Sequence, residues 1–504
     1  MSPDRGRGRV VTVQGVADRA GGSGPETDVL RAPTAGGKVI RGGAFRAGGH
    51  AVGVVIATAT AVLLLRHLGV VDFGRFVTVT ALLGIVAGLT DVGLTAVGSR
   101  EMAVRPAGKE RELLLANLLL IRLVATVVGV AGAVAFAILA RYDDVMVLGT
   151  LAGGVGVVLI NSQSMLTMPL WVDLRIVALT SLDVLRQVLT LVGVAALVFA
   201  GASLFPFFAL QIAVGGAMVV ATAVVLRTSD RLLPRYDRAT ARMLIRETLP
   251  LAVAFAMSIV YFRVLVIIVS LVSSETETGL FGTSFRIFET LLAVPAVVLG
   301  VALPLLSVAA TDDEERLRYA LQRMTETALL AGALLVVVIG VLAEPALRLV
   351  DEEFVDAAPV LRVQAVALLF VLLGQTWQLA LVAARGQIVM VFANGVALVL
   401  VLVLGFSLAP PYGAQGAAWA ALLAEAALAL CLWLGIRRVR PNVVPDLRFA
   451  WKVLVALGLS VGAVLLVDWP TLVEALVAVV VLAGAAVVLR AIPPEIATAL
   501  RFRA

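Results

Sequence analysis

Long apolar runs recur along nearly the whole chain, and they restrict its fold more than any other feature. Runs of about 18–25 residues alternate with short polar breaks. Hydrophobic residues make up 61% of the 504 positions. A helix of that length, rising ~1.5 Å per residue, crosses ~30 Å of hydrocarbon. The runs are too long for core strands and lack the alternation of a membrane β-barrel, so the sequence predicts an all-α polytopic membrane protein.

The runs divide into about fourteen predicted transmembrane helices, which fall into two groups of six and a final pair. The longest predicted cytoplasmic loop separates the two groups. We therefore divide the chain into a disordered basic cytoplasmic tail (1–43), an N-lobe with helices 1–6 (44–227), a cytoplasmic linker (228–247), a C-lobe with helices 7–12 (248–440), helices 13 and 14 (449–491) and a second cytoplasmic tail (492–504).

Positive charges are distributed unevenly over the predicted loops. Segments 227–242 and 437–452 are rich in arginine, whereas 273–278 and 351–353 carry acidic residues and no basic ones. Because Lys and Arg are enriched in cytoplasmic loops, this alternation predicts that both termini are cytoplasmic, at the bacterial inner membrane. The basic residues adjoin apolar spans, so we expect membrane lipids, and not nucleic acid, as their partner.

Two short segments suggest that the six-helix unit is duplicated. Asp72-Phe73-Gly74-Arg75-Phe76 opens the second predicted span, and Glu277-Thr278-Gly279-Leu280-Phe281 opens the eighth. Both follow the pattern acidic-x-Gly-x-Phe, six spans apart. Repeats of this kind build transporters with two lobes around a shared site.

The sequence lacks the motifs expected of an enzyme. The segment Gly36–Lys38 lacks the other residues of a nucleotide-binding loop, and His50, His67 and Cys431 form no metal-ligand or nucleophile pattern. A membrane glycosyltransferase, the enzyme alternative, usually carries a sizeable extracytoplasmic loop, and the predicted outer loops are short. We therefore expect transport without a cofactor, not catalysis.

Charged residues inside the predicted spans are the candidate substrate-binding residues. Such groups are costly in hydrocarbon and usually face a cavity or a partner. Four arginines, two from each half, could line a central cavity and bind a diphosphate through their planar forks: Arg122, Arg186, Arg263 and Arg286. The candidate carboxylates are Asp91 and Glu289.

Three of these arginines also have a simpler interpretation. Arg122 lies about one third into its span and could extend its side chain to the membrane surface. Arg186 follows Asp183 by three residues, and Arg286 precedes Glu289 by three. Residues three apart are neighbours on a helix, so these pairs could simply neutralise each other.

Several motifs follow one another in the order of a known family. They are Leu68-Gly69, Asp72-Phe73-Gly74, Asp91-Val92-Gly93-Leu94, Arg100-Glu101-Met102-Ala103, Leu249-Pro250, Tyr261-Phe262-Arg263, Gly279-Leu280-Phe281, and a hairpin that runs from Asn394 through Pro410–Trp419 to Glu425. With them the chain resembles the bacterial polysaccharide and O-antigen flippases of the multidrug/oligosaccharidyl-lipid/polysaccharide superfamily. The resemblance covers most of residues 45–437.

The resemblance implies two six-helix lobes around a cationic central cavity, with helices 13 and 14 added. It implies a lipid-linked saccharide as substrate, and glycan polymerases and glycosyltransferases as further candidate partners. Residues expected to shape turns and bends are Gly74, Gly93, Gly279, Pro295, Gly413 and Gly416. One position departs from the family: two residues after Tyr-Phe-Arg the family often has an aspartate, and here Leu265 stands there.

Two alternative functions predict different behaviour of the same residues. A drug or small-cation exporter of the same superfamily would depend chiefly on Asp91 and Glu289. A non-transporting scaffold for cell-envelope assembly would tolerate the loss of all four arginines.

Overall fold

The computed structural model of the chain describes residues 35–91, 93–106, 108–226, 236–292, 314–384, 386–466 and 470–491, and none of these forms a strand. The helices are α1 (Ala35–Asp91), α2 (Leu94–Val104), α3 (Lys109–Leu139), α4 (Asp144–Leu166), α5 (Met168–Val172), α6 (Ile176–Phe199), α7 (Leu204–Leu226), α8 (Arg238–Val272), α9 (275–292), α10 (Glu314–Arg348), α11 (Ala358–Ala383), α12 (Gln387–Val439), α13 (Ala450–Leu466) and α14 (Thr471–Val488). The prediction of an all-α polytopic protein is confirmed.

Ten helices in the described part of the chain are long and apolar enough to cross a membrane. Two of them are far longer than one crossing needs, because α1 has 57 residues and α12 has 53. Each contains a glycine with non-helical dihedrals, Gly69 (φ 68°) in α1 and Gly413 (φ 54°) in α12. Each of these helices can therefore supply two spans, and the total of fourteen stays a prediction.

The chain reverses direction within α12. Pro410 and Pro411 lie just before Gly413, and the positive φ of Gly413 is one that side chains other than glycine adopt poorly. A Cβ atom placed on Gly416 would collide with the carbonyl oxygen of Leu408, eight residues earlier. Those residues would lie ~12 Å apart along a straight helix, so the two parts of α12 form a hairpin.

The bundle has two ends, which we call the Arg75 face and the Arg100 face after the residues found there. The Arg75 face holds the Gly69 bend, the turn between α3 and α4 and the turn between α8 and α9. The Arg100 face holds α2 and the start of α8. Helix α3, with 31 residues, connects the two faces over about 46 Å.

The helices form two groups joined by α1. In the first group α1 packs on α6, α4 packs on α7, and α3 packs on α4; in the second, α12 packs on α8 and α11, and α10 packs on α11. Helix α1 also packs along α8, which connects the groups. The terminal pair, α13 and α14, packs against α10.

Two predicted boundaries differ from the observed helices. Helix α1 begins at Ala35, inside the tail predicted to be disordered over 1–43. Helix α8 begins at Arg238, inside the predicted linker 228–247, and the Asp237 carboxylate caps it by accepting a hydrogen bond from the Thr240 amide at 2.8 Å. Residues 1–34, 227–235 and 492–504 lie outside the described residues.

The first turns of α8 are helical because they have an apolar surface to cover. Leu244 is fully buried in a cluster with Met102 of α2 and Leu118 of α3. The Asp237 amide donates to the Asn117 side chain at 2.9 Å. The predicted linker thus includes the start of a long helix that is docked on the first helix group.

Candidate functional site

A cavity of about 460 Å³ lies between the two helix groups. Its walls come from α1, α4, α6, α7, α8 and α9. Apolar side chains, among them Phe73, Phe76 and Phe207, line the end nearer the Arg75 face. Deeper in the bundle the charged groups of the lining are Arg186, Arg263, Arg286 and Glu289.

Two of the cavity arginines share one carboxylate. Arg263 of α8 donates to Glu289 Oε1 at 2.7 Å, and Arg286 of α9 donates to Glu289 Oε2 at 3.1 Å. The side chain of Arg263 passes Gly84 of α1 so closely that a Cβ there would lie 2.7 Å from its Nε. Glycine at position 84 therefore leaves the space in which Arg263 reaches the cavity.

Arg186 enters the same cavity from the opposite helix group. It lies on α6, where Thr190, one turn further along, also lines the cavity. Among the described residues no carboxylate lies within 4.0 Å of its guanidinium, so the salt bridge with Asp183 considered from the sequence does not form, and Asp183 interacts with it only over a longer distance. Three arginines and one glutamate give the cavity lining a net formal charge of +2.

The structure places Arg122 and Asp91 away from this cavity. Arg122 is only 5% exposed and forms an ion pair with Asp91 at 2.6 Å. It also donates to Asn161 at 3.3 Å, and Asn161 donates to Thr90 and Thr126. These side chains form a polar network inside the first helix group, and neither candidate lines the cavity.

The two copies of the weak sequence repeat meet at the Arg75 face. A Cβ on Gly74 of α1 would lie 2.8 Å from the amide nitrogen of Gly279 in α9, and a Cβ on Gly279 would collide with the Val70 carbonyl oxygen. The two glycines thus allow the backbones of the two groups to touch.

Two other residues predicted to shape turns and bends lie elsewhere in the chain. Gly93, with φ 76°, immediately precedes α2, and Pro295 lies outside the described residues.

Arg75 forms three ion pairs beside the glycine contact between α1 and α9. Arg75 lies 3.2 Å from Asp72, 2.8 Å from Asp143 of the α3–α4 turn and 3.0 Å from Glu275 of α9. The Tyr142 hydroxyl is 2.7 Å from Ser270 Oγ of α8. The first and second helix groups are therefore connected by polar contacts at this face.

A second cavity, of about 410 Å³, adjoins the first. Arg263 and Gly84 line both cavities. The other polar groups of the second cavity come from α8, α11 and α12: Ser258, Tyr261, Gln375, Gln378, Asn394 and Glu425.

Apart from Arg263, the polar residues of the second cavity were not among the predicted substrate-binding residues, and neither was Gln211, which lines the first. The sequence did contain an indication of these residues, because each of these polar side chains lies within a predicted span, where unpaired polar groups are costly. The signal was weak because neutral amides and hydroxyls also serve as ordinary contacts between membrane helices.

Comparisons with known proteins agree with this architecture. A family model described as polysaccharide biosynthesis protein matches residues 39–310. The structure is similar to that of the lipid II flippase MurJ in an inward closed conformation, with a TM-score of 0.73 and 12% identity over 88% of this chain and 98% of that one. No protein of curated function matches the sequence.

Transporters of the MOP superfamily are also similar. An inward-facing multidrug resistance MATE family transporter has a TM-score of 0.59 and 13% identity over 77% of this chain and 95% of its own. A Pyrococcus furiosus transporter, described as having a binding pocket of reverse polarity, has a TM-score of 0.54 and 16% identity over 80% of this chain and 96% of its own. At these identities the likeness shows the fold of a multi-pass membrane protein. The family resemblance drawn from the motifs is confirmed.

Proposed function

Because the chain belongs to the polysaccharide biosynthesis protein family, whose model matches more than half of its residues, we propose that it is a flippase. Its substrate is a polyprenyl-diphosphate-linked oligosaccharide or polysaccharide repeat unit. It moves this substrate across the bacterial inner membrane by alternating access between the two helix groups.

One observation carries the proposal: arginines from both helix groups line one cavity, and carboxylates do not balance them. Arg186 belongs to the first group, and Arg263 and Arg286 belong to the second. The excess positive charge favours an anion, and the planar guanidinium fork fits phosphate oxygens in pairs. In a region of low effective dielectric this attraction is stronger than in water.

The arrangement also suggests how binding couples to movement. Glu289 holds Arg263 and Arg286 together within the second group, whereas Arg186 has no such partner among the described residues. A diphosphate in the cavity would link Arg186 to the other two arginines across the interface between the groups. The substrate would then stabilise the arrangement of the two helix groups in which all three arginines can reach it together.

The remaining partners follow from this substrate. The prenyl chain stays in contact with membrane lipids, while the headgroup enters the cavity. With both termini in the cytoplasm, the Arg100 face is the cytoplasmic one. Glycan polymerases and glycosyltransferases would act on the same lipid-linked saccharide.

The test replaces each cavity arginine separately, as Arg186→Gln, Arg263→Gln and Arg286→Gln. Arg362→Gln is the matched control, because Arg362 of α11 donates to the Gly340 carbonyl at 3.0 Å and lines neither cavity. Transport of a fluorescent polyprenyl-diphosphate saccharide is measured in proteoliposomes. We expect initial rates at least ~tenfold lower in the three cavity variants, since each removes a charged hydrogen bond to phosphate.

Other outcomes identify the alternatives. If the wild type instead exports an organic cation, and Glu289→Gln abolishes that export while the three arginine variants retain it, a cation exporter is favoured. If all variants, and the wild type, leave the probe on its original side, the protein is not a flippase for this class of lipid. Membrane insertion of every variant is compared with that of the wild type.

A further inference from the structure

We propose that the second cavity binds the saccharide of the lipid-linked substrate, next to the diphosphate held in the first. This inference rests on the proposed function and assigns a subsite to it. The two cavities meet at Arg263, which lines both. The first sugar is bonded directly to the diphosphate, so it must lie beside the arginines, and the second cavity is the space that adjoins them.

The charges of the two cavities differ in a way that matches the two parts of such a substrate. The first cavity has a net formal charge of +2, which suits a diphosphate. The charged groups of the second are Glu425 and Arg263, and Arg263 is shared with the first cavity, where it is paired with Glu289. The second cavity therefore has no excess of positive charge for a second phosphate, and its other polar groups are neutral, as the hydroxyls of a sugar are.

The polar groups of the second cavity are the kinds that bind hydroxyls. Gln375, Gln378 and Asn394 each offer an amide that can donate and accept, and the Glu425 carboxylate accepts. Sugar hydroxyls also donate and accept, so each amide can form paired hydrogen bonds with a sugar. Tyr261 and Phe262 add apolar surface beside these groups.

One of these amides has an acceptor without a partner among the described residues. Gln375 Oε1 is buried and accepts no hydrogen bond from that part of the chain. A buried acceptor without a partner is unfavourable, and hydrocarbon cannot supply a donor. A hydroxyl-rich ligand in the cavity would supply one.

The size of the cavity is adequate for a saccharide. Its volume of about 410 Å³ lies within the ~300–1,000 Å³ of typical small-molecule sites. Gly374 of α11 lies in its wall. The first cavity extends from the apolar end near Phe73 to Arg263, and the second lies between Arg263 and the amides of α11.

The experiment compares two kinds of probe on purified full-length protein in nanodiscs. The first is sugar-free polyprenyl diphosphate, and the second is the same lipid carrying one hexose, N-acetylhexosamine or deoxyhexose. The variants are Gln375→Leu, Gln378→Leu and Asn394→Leu. Gln187→Leu is the matched control, because Gln187 is a glutamine of α6 that lines neither cavity.

We expect the second-cavity variants to bind at least one sugar-bearing probe about tenfold more weakly than the wild type does, while binding the sugar-free probe equally well. The control should bind both probes like the wild type. Equal binding of every sugar-bearing probe by all three variants overturns the subsite, as does an equal loss of both kinds of probe.

The arginine variants separate this inference from the function on which it rests. Arg186→Gln should weaken both kinds of probe, because the diphosphate is common to them. If Arg186→Gln, Arg263→Gln and Arg286→Gln bind both like the wild type, the proposed function fails. If they lose both while the second-cavity variants lose neither, only the saccharide subsite fails.

Discussion

The four candidate arginines divide into two structural classes: Arg122 is buried within one helix group, and the other three line the cavity between the groups. Arg122 is 5% exposed and closed off by Asp91 and Asn161. Arg186 lines the cavity and has no carboxylate partner in the described part of the chain. An arginine whose charge is already compensated stabilises the fold, whereas one that faces an open space can attract a ligand.

This difference predicts that one of two substitutions lowers stability and the other does not. Asp91→Asn removes the charge that compensates the buried Arg122, so we expect a lower unfolding temperature in detergent. The cost should stay below the ~3–5 kcal/mol of a fully buried pair, because Asp91 is 47% exposed. Arg186→Gln removes no ion pair and should melt like the wild type. Identical melting of Asp91→Asn and wild type would show that the Arg122 network is not structural.

Spacing along one helix predicted only part of this site. The spacing of three residues suggested both Arg286–Glu289 and Asp183–Arg186, and only the first pair forms, at 3.1 Å. Glu289 also receives Arg263 from the neighbouring helix, at 2.7 Å. That contact depends on how α8 and α9 pack, which cannot be inferred from the spacing of residues along one helix.

At the level of helices, the contact between α1 and α9 depends on the absence of two side chains. Gly74 and Gly279 bring the backbones of the two helix groups together, and Gly282 of α9 packs against Val77. Small residues permit such close approach in membranes, where packing replaces the hydrophobic effect between helices. The contact is therefore sensitive to a single methyl group.

We predict that Gly279→Ala separates α1 from α9 at the Arg75 face, because the Val70 carbonyl that it would meet is backbone and cannot rotate away. The reporter is Thr78→Cys in a Cys431→Ser background, since Thr78 is fully buried beside this contact. Labelling by a membrane-impermeant maleimide should rise several-fold. Gly132→Ala is the control, because a Cβ there meets nothing within 4 Å. Unchanged labelling in Gly279→Ala would contradict the prediction.

The sequence predicted which segments form helices better than it predicted the residues at which those helices begin and end. The apolar runs identify most of the long helices, since each must cover a fixed thickness of hydrocarbon. The docking of the start of α8 could not be predicted, because Leu244 is buried against Met102 and Leu118, which lie far away in the sequence. A polar, arginine-rich segment resembles a linker until the surface that it covers is known.

For the whole molecule, the two helix groups are in contact at both faces. At the Arg75 face, Arg75 bridges Asp143 and Glu275, and Tyr142 bonds to Ser270. At the Arg100 face, Arg100 forms an ion pair with Glu247. Exposed ion pairs of this kind are individually weak, so they can break during a transport cycle.

Alternating access requires the contacts at the Arg75 face to open, and a covalent connection across it should stop transport. Asp143→Cys and Glu275→Cys place thiols on opposite groups around Arg75, in a Cys431→Ser background. A short bifunctional methanethiosulfonate should arrest transport in proteoliposomes, and a reductant should restore it.

The neighbouring carboxylates supply the control for this experiment. Asp72→Cys and Asp143→Cys surround the same guanidinium, at 3.2 Å and 2.8 Å, but both belong to the first helix group. Their cross-linking should leave transport intact, because that group moves as a unit. If both cross-linked pairs transport at the uncrosslinked rate, the Arg75 face does not open during the cycle. If both are arrested, the effect is local damage around Arg75. Two lobes that move relative to each other around the arginine cavity are supported only if the Asp143–Glu275 cross-link arrests transport and the Asp72–Asp143 cross-link does not.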